Sequence, residues 1–129
     1  MIKKFTPYRL LIGSIALVYI AFGIPKILGA TSVEELMLAS YPFFNDLIIL
    51  LIGLTEVALG IAILFKTTRV LACIGIILHL LGTFAGVLFN WNYYISQSTL
   101  FTLEGEFVFK NIILISLAVY ILSIERKKA

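Results

Sequence analysis

The sequence predicts an all-α membrane protein: an antiparallel bundle of four transmembrane helices, with a short helix on the outer surface after span one. Three observations predict it. The 129-residue chain is 61% apolar and 13% charged, where soluble domains carry about 45–50% apolar and about 25% charged residues. The apolar residues gather into four blocks, Leu10–Pro25, Leu47–Phe65, Val70–Phe89 and Phe107–Ile124, each near the roughly 20 residues that cross a bilayer core. Basic residues collect at alternate ends of those blocks. The pattern is that of one domain, residues 1–129, with no internal repeat, low-complexity segment or interdomain linker.

Span one is placed at about residues 9–29. From Arg9 to Lys26 a helix rises about 25 Å, a short but adequate crossing because basic side chains at its ends can snorkel. A signal peptide would use Lys3, Lys4 and Arg9 as its basic region and cleave near Leu28-Gly29-Ala30; Lys26 and the long apolar run argue against it. Ser32 and Glu35 then form a capping box before Met37-Leu38, so a short surface helix is expected, stopped near Pro42. Span two is placed at about 45–65 and span three at about 69–89. The next segment, NWNYYISQSTLFTLEGEF, is polar and aromatic, with a turn signal at Glu104-Gly105. Trp91, Tyr93, Tyr94 and Tyr41 suit a headgroup belt. Span four is placed at about 107–124.

Orientation follows from the basic residues. Lys3, Lys4, Arg9, Lys66, Arg69, Arg126, Lys127 and Lys128 share one side, and only Lys26 and Lys110 lie on the other. The positive-inside rule then puts both termini in the cytoplasm. This bias accounts for the formal charge of +3, so nucleic acid is not an expected partner. Cys73 and His79 are the only residues of their types. An intramolecular disulfide, a CxxC centre, a haem held by two histidines of one chain and a His/Cys zinc site are therefore excluded, and no metal site is expected.

The polar residues inside the spans carry the site expectation. Glu56 lies ten residues into span two from Asp46, His79 ten into span three from Arg69, and Tyr19 ten beyond Arg9 in span one. Each depth is about 15 Å, so three helices bring these groups to one plane. Gly53, Glu56 and Gly60 share a helical stripe, as do Ala72, Gly75, His79, Gly82, Thr83 and Gly86, and Tyr19, Gly23 and Lys26. Small residues of this kind mark helix contacts rather than lipid-facing surface. An ionised acid at the helix centre costs about 2.5–3.5 kcal/mol, and protonating a glutamate at pH 7 costs about 3.7 kcal/mol. Glu56 should therefore face inward, with His79 as its partner, either ionic or neutral. The pair can be a catalytic proton relay or a fixer of helix register; the residues leave both open. Near the outer face Lys26, Glu104, Glu106 and Lys110 form a second group. It reads either as an interfacial anchor with a Glu106–Lys110 pair one turn apart, or as a mouth that attracts an anion or a quinone carbonyl.

FGIPKILG at the end of span one, GLTEVALGIAILF and TRVLACIGIILHLLGT in spans two and three, and EGEFVFKNIILI at the start of span four resemble the DoxX family of small four-helix membrane proteins. The resemblance covers about Tyr8 to Ile124. It implies a bacterial cytoplasmic membrane, and it matches Gly23, Lys26, Glu56, Glu106, Lys110 and Asn111 to family motif positions. Three functional expectations follow, two from the residues and the resemblance together and the third from the mid-membrane acid Glu56. The first is a membrane component of quinone-linked sulfur or thiol redox chemistry: Glu56 and His79 catalytic, Tyr19, Gly23, Lys26, Glu106, Lys110 and Asn111 binding a quinone, no cofactor held covalently. The second is a non-catalytic scaffold or assembly factor bound to a membrane-protein partner. The third is a proton-coupled small-molecule transporter, for which four helices call for a homo-oligomer.

Overall fold

The computed structural model describes residues 6–29, 37–38, 41–96 and 98–128. Helix α1 runs over Pro7–Ile27. Thr6 caps it by accepting the Arg9 N–H, and Pro7 sits in the first turn, where its missing N–H leaves no bond unmade. Pro25 falls in the last turn, and the chain leaves the helix through Gly29 at φ 68°, a left-handed conformation that suits glycine. Helix α2, Asp46–Ala62, is capped by the Asn45 side chain, which accepts the Ile48 N–H. Helix α3 spans Arg69–Phe89. After it come a single turn, α4 (Trp91–Tyr94), and a small antiparallel hairpin of β1 (Ile95–Ser96) and β2 (Leu100–Phe101) that pairs Ile95 with Phe101. Helix α5, Leu103–Phe109, is capped by Thr102, and α6 covers Asn111–Lys127.

The chain is mostly helical, and among the described residues three runs are long and apolar enough to cross a membrane: Pro7–Ile27, Arg69–Phe89 and Glu104–Lys127, with mean hydropathies of 2.0, 2.3 and 2.2. Helix α2 is equally oily but has 17 residues, a rise of about 26 Å. The last apolar run begins at Glu104, three residues before the block read from the sequence. Of the expected outer helix only Met37 and Leu38 are described, both helical; the Ser32–Glu35 capping box lies outside the described residues.

One expected turn is corrected. Glu104 and Gly105 lie inside α5, and the chain reverses between β1 and β2 instead. The glycine answers a packing need: a Cβ at position 105 would collide with the Tyr94 carbonyl oxygen.

Packing follows the small residues. Helices α1 and α2 make the most extensive contact, and α3 packs mainly on α6. A Cβ at Gly23 would meet the Gly53 oxygen at 2.7 Å, and one at Gly60 would meet Ile20 and the Ala16 oxygen at 2.8 and 3.0 Å. Rising numbers on α2 thus meet falling numbers on α1, and the two helices run antiparallel with their backbones nearly touching. Ile12, Ile15, Ile76, Ala118 and Ile121 fill the shared core. Leu17, Leu71, Leu88, Phe89 and Ile113 point outward and are more than half exposed. Such an apolar exterior is what acyl chains solvate.

At the basic end a second polar cluster ties the helices together. Buried Glu125 of α6 accepts from the Tyr8 hydroxyl of α1 and from Arg69 of α3 at 3.2 Å, with Lys128 at 3.7 Å. Arg69 also donates to the carbonyls of Ile63 and Leu64 just past α2. One guanidinium and one carboxylate therefore join the ends of four helices.

Candidate functional site

The site is built around α1 and α2. Side chains on a helix lean toward its N-terminus, so Lys26, near the end of α1, reaches back into the bundle rather than out to the surface. Gly53 makes this possible, because a Cβ there would sit 2.7 Å from the Lys26 Cβ. One turn further along α2, Glu56 receives the ammonium: Nζ lies 2.9 Å from Oε2, and both side chains are 7% exposed. Nζ also donates to the Phe22 carbonyl at 3.1 Å. The other carboxylate oxygen, Oε1, lies 3.3 Å from Nε2 of His79 on α3. Nδ1 of the same ring is 2.9 Å from the Tyr19 hydroxyl of α1, with the two rings edge to face at 5.5 Å.

These contacts form one chain across three helices, Tyr19 to His79 to Glu56 to Lys26. In the neutral imidazole with its proton on Nε2, Tyr19 donates to Nδ1 and the Nε2–H lies beside the carboxylate, 3.3 Å from Oε1. With Lys26 charged and Glu56 ionised, the chain then sums to zero. Among the described residues no buried side-chain nitrogen or oxygen is left without a partner, as a low-dielectric interior requires.

The chain forms the polar edge of a cavity of about 470 Å³, within the 300–1,000 Å³ common for small-molecule pockets. Phe22, Phe43, Phe44, Leu78, Tyr94 and Leu114 supply much of its remaining, apolar wall. The segment before α2 closes one side. There the Tyr41 hydroxyl donates to the Gly82 carbonyl on α3, and its ring packs on Phe43, Phe44 and Phe89. Burial pushes the Tyr41 phenol above its usual range, so it stays a neutral donor through physiological pH. Nothing lies within 4 Å of where a Gly82 Cβ would be, which leaves the α3 backbone open to the cavity.

Five of the eight residues singled out from the sequence, Tyr19, Lys26, Glu56, His79 and Asn111, line this one cavity. Gly23 is buried in the α1–α2 crossing and acts through packing. Glu106 and Lys110 do not join the site. Both are exposed, and among the described residues they form no ion pair, since an exposed pair gains little over water. The expected mouth of Lys26 and Lys110 is therefore corrected: Lys26 belongs to Glu56, which has two partners and not His79 alone. The headgroup belt is corrected for two of its four residues. Trp91 is 54% exposed, but Tyr94 is 1% exposed, and Tyr41 and Tyr94 both face the cavity. No sequence spacing marked these two, because they lie outside the long helices.

No family model, no curated protein and no solved structure matches the chain.

Proposed function

We propose that the chain is a DoxX-like protein with four spans, α2 included, in a bacterial cytoplasmic membrane with both termini inside. We propose further that its cavity binds a quinone as the membrane component of quinone-linked redox chemistry. One observation carries this reading: a continuous chain of polar contacts among four side chains from three helices, set on the wall of a mostly apolar and aromatic cavity. Ionisable residues at such depth face a functional cavity by default. A quinone fits that wall in kind, with apolar and aromatic side chains for a flat ring and donors at one edge for its oxygens. When bound it supplies a two-electron, two-proton couple.

The protein's part in this reading is positioning and proton supply. Lys26 has one ammonium hydrogen beyond those given to Glu56 and Phe22, and it orients a carbonyl oxygen. His79 and Tyr19 hold protons at Nε2 and Oη, and Glu56 keeps the imidazole in the tautomer that can pass one on. Phe43, Phe44 and Tyr41 exclude water. A partner subunit supplies the electrons. The test is thermal unfolding of the purified chain in lipid nanodiscs with added menaquinone or ubiquinone. Stabilisation that rises with quinone concentration is expected. An unfolding midpoint that stays flat at saturating quinone overturns the reading and leaves the scaffold function in its place.

A further inference from the structure

The cavity's ionisable groups come in a particular balance. Lys26 and Glu56 form a buried pair, and among the described residues the other titratable groups on the wall are His79, Tyr19, Tyr41 and Tyr94. Both oxygens of Glu56 are engaged, one by Lys26 and one by His79. A site built to hold an acid would leave its lysine without a carboxylate, so that an incoming anion completes the pair. A site built for a cation would do the same with its glutamate. Here each charge is already answered by the other. An ionic ligand would have to shed its hydration and then meet a pair that attracts it at one end and repels it at the other. An uncharged oxygen meets no such penalty and finds the remaining ammonium hydrogen.

We infer that Glu56 sets the charge of what the cavity accepts. By neutralising Lys26 it selects uncharged, oxygen-bearing apolar molecules and rejects acids of the same size and shape. The inference rests on the cavity being a ligand site, but not on the ligand being a quinone. Glu56 is then a specificity-determining residue, and its removal does more than weaken binding: it changes the sign of the preference. Lys26 without Glu56 is a lone buried cation that an acid satisfies. Glu56 without Lys26 is a lone buried anion that an amine satisfies.

The test uses three probes of one shape, 2-naphthol, 2-naphthoate and 2-naphthylmethylamine, titrated at pH 7 into the full chain in nanodiscs, with empty nanodiscs subtracted. Wild type is expected to bind the naphthol at least about tenfold more tightly than either ion, a difference of about 1.4 kcal/mol. Glu56→Gln is expected to move the preference to the naphthoate and Lys26→Met to move it to the amine. The double variant should still prefer the naphthol. Wild type that prefers the naphthoate, or single variants that keep the wild-type order, overturn the inference. Where a single variant fails to fold, the wild-type and double-variant rankings decide. Quinone binding with the wrong charge order sinks this inference alone; no binding of quinone or of any naphthyl probe sinks the ligand site with it.

Discussion

Lys26 and Glu56 are each 7% exposed and 2.9 Å apart, and what matters at this scale is the difference between removing one and removing both. Lys26→Met or Glu56→Gln alone strands a buried charge, with an expected cost of about 3–5 kcal/mol. The double variant strands none and is expected to be more stable than either single variant, as a double-mutant cycle in chemical unfolding would measure. Equal losses that simply add would show the two groups to be energetically independent. Much of this site was legible from residue counting: ten residues from Arg9, Asp46 and Arg69 lead to Tyr19, Glu56 and His79, and the three do meet. Lys26 reads from the sequence as part of an outer mouth, because counting gives the height of a Cα and not the direction of a five-atom side chain. Glu125 was missed for a different reason. It stands before Arg126-Lys127-Lys128 and reads as part of a solvated charged tail, yet it is 6% exposed.

At the scale of the element, glycine divides into positions that carry a helix contact and positions that do not. A Cβ at Gly53 would meet the Lys26 Cβ at 2.7 Å and the Gly23 oxygen at 2.9 Å, whereas one at Gly13 would meet nothing within 4 Å. Gly53→Ala is expected to cost about 1–3 kcal/mol by overpacking and to weaken ligand binding by shifting Lys26. Gly13→Ala should be neutral or stabilising by up to about 1 kcal/mol. Unfolding midpoints of the two variants check this, and a Gly53→Ala protein as stable as Gly13→Ala would mean that α1 and α2 do not cross where described. The stripe containing Gly23, Gly53 and Gly60 was readable from helical spacing. The hairpin of β1 and β2 was not, because strands of two residues have no periodicity to read. Gly105 looked like a turn residue and is instead a helical position that the Tyr94 backbone presses against.

For the molecule as a whole, the spans and the clamp at the basic end decide how the site is held. Glu125→Ala leaves Arg69 without its carboxylate and is expected to cost about 3–5 kcal/mol, while Lys128→Ala, at a half-exposed partner, should stay within about 0.5 kcal/mol. Thermal unfolding separates them. Four spans rather than three require α2 to cross, although it has only 17 residues. Cysteines placed at Pro42 and Thr67, both exposed, should then label from opposite faces of sealed vesicles, with buried Cys73 silent; labelling from one face would leave α2 lying within one leaflet. The membrane character was legible because the apolar blocks are long, but the cavity was not, since no spacing reveals how a segment such as Tyr41–Phe44 folds over a helix. The most direct measurement is an experimental structure of the chain purified with its native lipids. Density for an uncharged ring-bearing molecule is expected beside Lys26, with Glu56 bridging the ammonium and His79. Lys26 pointing to the surface, or lipid tails between Glu56 and His79, would contradict it.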